Sequence, residues 1–276
     1  MPELPEIEVI CQGLRPLLVD QMITQIAYNN KPLRNPVDIE KIRKEIVFKR
    51  ITSIERRAKY ILILMDNGAT LVIHLGMTGN LGVFPQESPL AKHDHVQWTL
   101  NNGNQFRYND IRRFGSIHIL SAAETEVRED TFFKTSGPEP FGTQFTANYL
   151  LKLATNKKVT VKQFIMDSKV VVGIGNIYAN ESLFRAGIQP DKPVKDLSKP
   201  QWQALVQTIK KVLRHAIECG GSTISNFLNA SQERGYFQMN FKVYGKAGQP
   251  CPQCKTPLSK SKIAGRATFY CNKCQR

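Results

Sequence analysis

The C-terminal stretch CPQCKTPLSKSKIAGRATFYCNKCQR, residues 251–276, decides the fold of one part of the chain through its cysteines. They form two Cys-x-x-Cys pairs, with sixteen residues between Cys254 and Cys271. Two intervening residues let both thiolates of a pair reach one tetrahedral ion, and two such pairs at this distance are typical of a four-cysteine zinc site. We therefore predict a hairpin held by one structural Zn²⁺ ion, with Cys251, Cys254, Cys271 and Cys274 as ligands.

Positive charge is concentrated around these cysteines and is high in the whole chain. Residues 241–276 contain eight Lys or Arg and no Asp or Glu, and the formal net charge of the 276 residues is +15. Nucleic acid is the first candidate partner of such a protein; an anionic membrane surface and a basic protein without any polyanion are the alternatives. No apolar run approaches the ~20 residues of a membrane helix. The start lacks an export signal, so we expect a cytoplasmic protein.

The opposite end, MPELPEIE, predicts a helix over residues 2–18, because proline is favoured at the first helical position and acids in the first turn. Glu3 and Glu6 lie on the same inward stripe as the apolar residues. If Met1 is removed, Pro2 carries a secondary amine whose pKa, about 8 for an α-amino group, is lowered further by the helix dipole. Such an amine is a usable nucleophile. A simple helix-starting proline is the alternative, and the two carboxylates, which supply acid and base, favour the nucleophile.

The remaining sequence divides into a β-rich part and a helical part. Apolar runs around Asp66-Asn67-Gly68 and around residues 101–104 predict two hairpins of an antiparallel sandwich or barrel. Short helical patterns follow residue 143, and the longest covers about residues 200–218. The predicted organisation is a β domain at 1–131, a hinge at 132–143, a helical domain at 144–221, a polar loop at 222–240 and the zinc hairpin at 241–276.

One motif in the helical part predicts an anion site. Gly-Ile-Gly at residues 173–175 is followed by Asn176, which we place at a helix N-cap. Backbone N–H groups at such a position bind anions, and Lys157 and Lys162 upstream favour a phosphate. A tight turn between two helices is the alternative.

Several residues of the β-rich part are candidates for contact with nucleic acid. Arg112 and Phe114 follow a predicted strand, as does Met77, and an exposed arginine with apolar neighbours suits wedging into a base stack. Core packing is the alternative for Met77 and Phe114. For His74 and His93, as for His95, phosphate contact and a structural hydrogen bond are equally compatible with the sequence. Lys59 is either a solvated strand end or a second cation near the site.

Taken together, the stretches PELPEIE (2–8), GIGNIYANES (173–182) and AGRATFYCNKCQR (264–276) resemble, in this order, the bacterial formamidopyrimidine-DNA glycosylases. The resemblance covers the whole chain. It implies an α+β fold: an N-terminal helix with an antiparallel β-sandwich, a helical domain with a helix-two-turn-helix, and a four-cysteine zinc hairpin. It also implies a monomeric, bifunctional glycosylase and AP lyase, which excises oxidised purines (8-oxoguanine and formamidopyrimidines) from duplex DNA and acts on abasic sites.

The resemblance further implies a role for each candidate residue. Pro2 would attack the sugar C1′, Glu3 would donate a proton with Glu6 beside it, and Lys59 would assist base release and elimination. Arg266 would clamp the phosphates at the lesion. The resemblance implies two further groups: phosphate ligands, namely His93, Arg112, Lys157 and Asn176; and residues that fill the gap left by the everted base, namely Met77, Arg112 and Phe114. His74 and Lys162 are added as DNA-binding candidates from their positions in the sequence. The loop at 222–240 would close over that base.

Two other functions compete with this reading. A non-catalytic nucleic-acid module with a zinc ribbon explains the charge and the cysteines, but not the inward carboxylates of Glu3 and Glu6 behind an N-terminal proline. An enzyme like endonuclease VIII, which acts on oxidised pyrimidines, is closer. Leu4 favours the formamidopyrimidine branch, because glycine is common at this position in the other branch.

Overall fold

The computed structural model describes residues 2–222 and 241–276. These residues fall into two compact units, residues 2–134 with 220–222, and residues 135–219 with 241–276. Of the residues described, none belongs to a helix that is both long enough and apolar enough to span a membrane.

The first unit begins with helix α1, Leu4–Leu18, two residues later than predicted because Glu3 is its N-cap. Its buried face carries Ile7, Ile10, Cys11, Leu14 and Leu18 together with Glu6, which is 1% exposed. Leu17, which the helical spacing also predicts to face inward, is 37% exposed. The free thiol of Cys11 lies on this face, and burial raises its pKa to about 12. The helix therefore contributes a hydrophobic face to the core and places two carboxylates at its buried N-terminal end.

Within residues 2–134, eight strands form the antiparallel sandwich. They are β1 Met22–Tyr28, β2 Lys49–Arg57, β3 Tyr60–Met65, β4 Thr70–His74, β5 Gly79–Phe84, β6 Asp94–Leu100, β7 Gln105–Asp110 and β8 Ser116–Leu120. Their hydrogen-bonded order is β5-β7-β6-β1-β2-β3-β4-β8. The two four-stranded halves meet at a short pairing of β1 with β2, at Met22–Arg50 and Ile23–Lys49.

One hydrophobic core joins the two halves of the sandwich. Ile7, Ile10 and Leu14 of α1 belong to the same cluster as Trp98 and Phe106, whose rings stack at 4.9 Å. Two short helices complete the unit, α2 at Ile39–Ile46 and α3 at Ala122–Glu126. The predicted hairpins are confirmed: β3 pairs with β4 and β6 pairs with β7.

The second unit is helical, as predicted after residue 143. Its helices are α4 Ala147–Ala154, α5 Val161–Met166, α6 Asn176–Arg185 and α7 Lys199–Glu218, with a 3₁₀ turn at Val194–Asp196. Thr146, Thr160 and Ser198 cap α4, α5 and α7 by accepting a hydrogen bond from a backbone N–H of the first turn. Helices α5 and α6, joined by the turns between residues 167 and 175, fit the helix-two-turn-helix that the resemblance implies.

The zinc hairpin belongs to this second unit. Its strands are β9 Ser259–Ile263 and β10 Arg266–Tyr270, joined by the two-residue turn Ala264-Gly265 with φ of 47° and 76°. Two positive φ angles match the right-handed twist of a hairpin. The turn therefore leaves Arg266 exposed at its end.

Candidate active site and DNA interface

The buried end of α1 carries the two carboxylates of the predicted catalytic group. Glu6 accepts a hydrogen bond from the backbone N–H of Glu3 at 2.8 Å, and its other carboxylate oxygen accepts from the N–H and the hydroxyl of Ser222 at 2.9 and 2.7 Å. Hydrogen bonds to a charged group contribute about 1.5–3 kcal/mol each. Glu6 is thereby engaged in holding the chain around Glu3, while Pro2 lies directly before this N-cap and is buried.

Contacts between α1 and β2 bring Lys59 to the same end of the unit. Arg15 donates to the Ile54 carbonyl oxygen at 2.9 Å, and Glu8, nearer the start of α1, accepts from Arg56 at 3.1 Å. The helix therefore runs antiparallel to the strand. Its first residues lie at the end where β2 turns into β3.

That turn consists of Ala58 and Lys59. The carbonyl oxygen of Ala58 accepts a hydrogen bond from the Arg56 guanidinium at 3.1 Å. The backbone φ of Ala58, 56°, lies in the left-handed region, which costs a residue with a Cβ roughly 1 kcal/mol or more. Lys59 is partly buried in this turn rather than at a solvated strand end. The fold thus places its ammonium group at the same end of the unit as Pro2 and Glu3.

His74 continues the site from β3 to β4. It pairs with Tyr60, with 4.9 Å between the ring centroids. Burial first, then the charges of Lys59 and Arg34, lower its pKa from 6.5 to about 4. Its Nδ1 accepts from the Gly76 N–H at 3.1 Å, so the neutral ring carries its proton on Nε2. His74 consequently has a structural hydrogen bond on Nδ1 and a donor on Nε2, so the two alternatives left open by the sequence are compatible.

The residues predicted to fill the gap meet at one cavity of the first unit. The cavity has a volume of about 660 Å³, and its lining includes His74, Met77, Arg112 and Phe114. Met77 is 44% exposed and Phe114 is 46% exposed, which excludes core packing as the explanation of either side chain. The Arg112 guanidinium lies over the Phe114 ring, 4.6 Å from its centroid. An exposed apolar pair with a cation above it has the composition expected of a wedge.

The two other histidines of this region have different surroundings. His95 is buried and donates from Nε2 to the Asp110 carbonyl oxygen at 2.8 Å, while its Nδ1 accepts from the Asn29 amide at 3.0 Å. It is therefore a structural histidine. His93, just before β6, is partly buried and remains a predicted phosphate ligand.

In the second unit, the structure corrects the predicted role of Lys162. Its side chain is 1% exposed, and its Nζ donates to the Ala267 carbonyl oxygen at 2.9 Å and to the Thr268 hydroxyl at 2.7 Å. A buried ammonium on these partners is not available to a phosphate. The sequence pattern does not distinguish the lysines upstream of the glycine motif from one another. Only Lys162 lies on the inward face of helix α5. Lys157, in contrast, is exposed and remains a candidate.

Asn176 also lies differently from the prediction. Gly175 is the N-cap of α6, so Asn176 is its first helical residue. Its side-chain amide donates to the Ala267 carbonyl oxygen at 3.0 Å, the acceptor that Lys162 also uses. One turn later, buried Asn180 accepts from the Phe269 N–H at 2.7 Å. These contacts fasten strand β10 to helix α6 just beyond Arg266.

Glu181 is a structural residue that the sequence analysis missed. It is fully buried in α6 and accepts hydrogen bonds at 2.9–3.0 Å from the backbone N–H groups of Lys242, Val243 and Tyr244. The signal in the sequence was a carboxylate between apolar residues of a helix, with Ile177 and Phe184 one turn away on either side. Glu181 anchors the chain where it enters the zinc hairpin.

The four cysteines predicted as zinc ligands do come together. Their sulfur atoms all lie within 4.8 Å of one another, with 3.4 Å between Cys254 and Cys271 and 3.9 Å between Cys251 and Cys274. Zinc–sulfur bonds of ~2.3 Å in a tetrahedron separate the sulfur atoms by roughly 3.8 Å. All four thiols are free of disulfides. The cluster fits one structural zinc ion with no open coordination position.

Both units and the hairpin match models of known families. Residues 1–117 match the formamidopyrimidine-DNA glycosylase N-terminal domain, residues 136–228 match the formamidopyrimidine-DNA glycosylase H2TH domain, and residues 248–276 match the zinc finger found in FPG and IleRS. A β-sandwich, an H2TH unit and a four-cysteine finger in this order define a class of DNA repair glycosylases.

Whole-chain comparisons agree with the domain matches. The chain is 46% identical over 279 residues to the formamidopyrimidine-DNA glycosylase of Photobacterium profundum, with both chains covered completely. It resembles the Lactococcus lactis Fpg in complex with DNA containing an abasic site, at a TM-score of 0.90 and 30% identity, with 99% of each chain covered. A structure of MutM with DNA containing carbocyclic 8-oxo-G gives a TM-score of 0.89 at 30% identity, with 100% of each chain covered.

The chain belongs to the formamidopyrimidine-DNA glycosylase family, and it is a bifunctional DNA glycosylase and AP lyase. This confirms the fold and the enzyme class expected from the three sequence motifs. It excludes the non-catalytic zinc-ribbon module. The loop predicted at 222–240 lies, apart from Ser222, outside the described residues.

Proposed function

We propose that the enzyme excises oxidised purines such as 8-oxoguanine from duplex DNA through a covalent intermediate at Pro2, and that it then cleaves the strand. The observation that carries this proposal is the buried start of α1, where Pro2 and Glu3 lie at the same end of the unit as the Lys59 turn. Relatives of known structure bind DNA with an abasic site and DNA with an 8-oxoguanine analogue, which supports the substrate class.

The first chemical step requires a neutral amine and an acid. The lone pair of the Pro2 nitrogen attacks C1′, the glycosidic bond breaks, and the electron pair leaves with the base, which is protonated as it departs. Glu3, whose side chain is 3% exposed, is the candidate acid that protonates O4′ of the sugar. The C1′–O4′ bond then breaks, the Pro2 nitrogen loses its proton, and its lone pair forms the C=N bond of the iminium ion. Glu6 is committed to the Glu3 N–H and to Ser222, so we assign it the role of holding this geometry.

The second stage is elimination from the iminium ion. A proton leaves C2′ and the 3′ phosphate departs with the electron pair of its C–O bond; a second elimination expels the 5′ phosphate. The ammonium group of Lys59 is a candidate to assist proton transfer in these steps. Water then hydrolyses the iminium ion, which releases the unsaturated sugar fragment and restores the Pro2 amine. The other products are the free base and a one-nucleotide gap.

The DNA itself is held by contacts outside the reacting atoms. Eversion of the damaged base costs a few kcal/mol, because its stacking is lost. Met77, Arg112 and Phe114 fill the space that the base leaves, and their contacts offset this cost. Arg266, exposed at the hairpin turn, binds phosphate together with Lys157 and Asn176.

The substrate class is tested by comparing two lesions. We expect kcat/KM on a duplex containing 8-oxoguanine to exceed kcat/KM on the same duplex containing thymine glycol. Glu3→Gln, which keeps the size of the side chain but not the acid, should lower excision of 8-oxoguanine while the folded structure, measured by circular dichroism, is kept. A preference for thymine glycol would assign the chain the specificity of the pyrimidine branch instead.

A further inference from the structure

The wedge residues come from two separate loops of the first unit. Met77 lies in the loop between β4 and β5, and Arg112 and Phe114 lie in the loop between β7 and β8. A wedge that acts between stacked bases needs a fixed shape, because side chains that are ordered only on binding lose conformational entropy at that moment. What holds the two loops together therefore decides how well the wedge works.

The backbones of the two loops are in direct contact. Gly76 has a φ of 61°, and a Cβ on it would lie 2.4 Å from the carbonyl carbon of Phe114. A Cβ on Gly115 would lie 1.8 Å from the Tyr108 hydroxyl and 2.6 Å from the His74 carbonyl oxygen. The approach leaves no room for a side chain at either glycine, so the loops meet without intervening solvent.

A short hydrogen bond spans the same junction. The hydroxyl of Thr78, the residue after Met77, donates to Oδ1 of Asp110 at 2.5 Å and accepts from the Arg112 N–H at 3.0 Å. The same Asp110 oxygen accepts from the Arg112 N–H at 3.2 Å. One hydroxyl thus connects the loop that carries Met77 to the backbone of Arg112.

Asp110 is anchored independently of Thr78. It is fully buried, and its Oδ2 accepts from the Gly115 N–H at 2.9 Å and from the Tyr108 hydroxyl at 3.2 Å. Its carbonyl oxygen accepts from His95 at 2.8 Å. The carboxylate consequently fixes both ends of the loop at residues 111–115, and through Thr78 it also fixes the loop that precedes β5.

We propose that Thr78 and Asp110 are positioning residues whose hydrogen bond joins the two loops into one preformed wedge. The inference rests on the proposed function, which assigns gap filling to Met77, Arg112 and Phe114. It adds that the three side chains act as a unit, and that Thr78 and the buried Asp110 set their relative placement. The simpler reading is that the bond only satisfies a buried carboxylate and stabilises the fold.

The two interpretations predict different losses of kcat/KM on two substrates. Thr78→Val removes the hydroxyl at nearly constant shape, and Thr78→Ser restores it. Loss of one hydrogen bond to a charged group should lower kcat/KM by about tenfold on an 8-oxoguanine duplex. On a duplex in which the base opposite the lesion is missing, the loss should be smaller, because no partner base needs to be supported. Thr78→Ser should behave like the unmodified chain on both.

Wedge insertion can be read directly by fluorescence. The probe is a duplex with 2-aminopurine opposite a tetrahydrofuran abasic analogue, which has no base to lose. Bound to saturation, the unmodified enzyme should unstack the 2-aminopurine and raise its emission. Thr78→Val and the isosteric Asp110→Asn should give a smaller rise, whereas Thr78→Ser should restore it.

Two results would overturn the inference. One is an equal loss of kcat/KM for Thr78→Val on both duplexes, which is the mark of a purely structural bond; the other is an unchanged emission in Thr78→Val. Phe114→Ala tests the proposed function separately. If that variant keeps the full emission rise, the wedge assignment itself fails, whatever Thr78→Val does.

Discussion

At the scale of single residues, burial decides which polar side chains bind DNA and which hold the protein together. Lys157 and Lys162 differ by five positions in the sequence, but Lys157 is exposed and Lys162 is 1% exposed on the Ala267 carbonyl oxygen. Composition and spacing cannot separate two such lysines. The separation comes from helix α5, which aims one of them into the unit.

The lowered pKa of His74 predicts how the stability of the fold depends on pH. Its pKa is lowered from 6.5 to about 4, first by burial and then by Lys59 and Arg34, so the folded chain keeps it neutral while the unfolded chain takes up a proton between these values. Stability is therefore full above about pH 6.5 and falls as the pH drops toward 4, by at most about 1.4 kcal/mol per pH unit from this group.

The measurement is urea unfolding between pH 7 and pH 4.5 on the unmodified chain and on His74→Asn, whose side-chain oxygen can still accept from Gly76. The variant should lose less stability over this window. Some slope should remain, because burial also lowers the pKa of His118. Identical slopes in both proteins would show that His74 is not held neutral by the fold.

At the scale of elements, the start of α1 and the hairpins were predictable because each has a local cause. Proline and acids at residues 2–6 favour a helix start, Asp66-Asn67-Gly68 favours a hairpin, and the cysteine spacing favours a metal site. What the sequence analysis missed is polar and long-range. Thr78 and Glu181 accept hydrogen bonds from backbone N–H groups of distant segments, and Asp110 accepts one from the distant Thr78 hydroxyl. No spacing rule predicts such partners.

For the zinc hairpin, we predict the effect of removing one metal ligand. Four cysteines close the coordination shell, so the metal contributes folding energy and no chemistry. Cys271→Ser should lose zinc and loosen the hairpin, while α4 to α7 stay folded on their own apolar faces. Duplex affinity should fall sharply, because Arg266 and its basic neighbours lose their shared position.

Arg266→Ala is the matched control. It should keep zinc and fold, but weaken lesion binding and strand cleavage, since the exposed guanidinium contributes no packing to the hairpin. Bound zinc, circular dichroism and duplex affinity are measured on both variants. Wild-type affinity in Cys271→Ser without bound zinc would mean that the hairpin is dispensable for binding.

At the scale of the whole molecule, the net charge of +15 predicts strong salt dependence of DNA binding. The logarithm of affinity should fall linearly with the logarithm of salt concentration, by about 0.9 per phosphate neutralised. Lys157→Ala should make this slope shallower by roughly one, because an exposed phosphate ligand is lost. Lys162→Met should leave the slope unchanged, because the buried ammonium contacts protein oxygens. A shallower slope in Lys162→Met would show that Lys162 is a phosphate ligand after all.

The sequence predicts a hinge at 132–143 between a β domain and a helical domain. The compact units divide between residues 134 and 135, and residues 220–222 belong with the first unit. Sequence patterns could not predict that residues 220–222 come back to the first unit, because hydrogen bonds from Ser222 to Glu6 hold them there.

The position of the covalent bond between enzyme and DNA tests the role of Pro2 most directly. Borohydride is added while the enzyme acts on an 8-oxoguanine duplex, and the trapped complex is digested and analysed by mass spectrometry. We predict that the sugar remnant is attached to the N-terminal tryptic peptide at Pro2, and that a chain with an uncleaved N-terminal extension forms no adduct. An adduct on Lys59 or another lysine, or trapping of the extended chain, would contradict the assignment of Pro2 as the nucleophile.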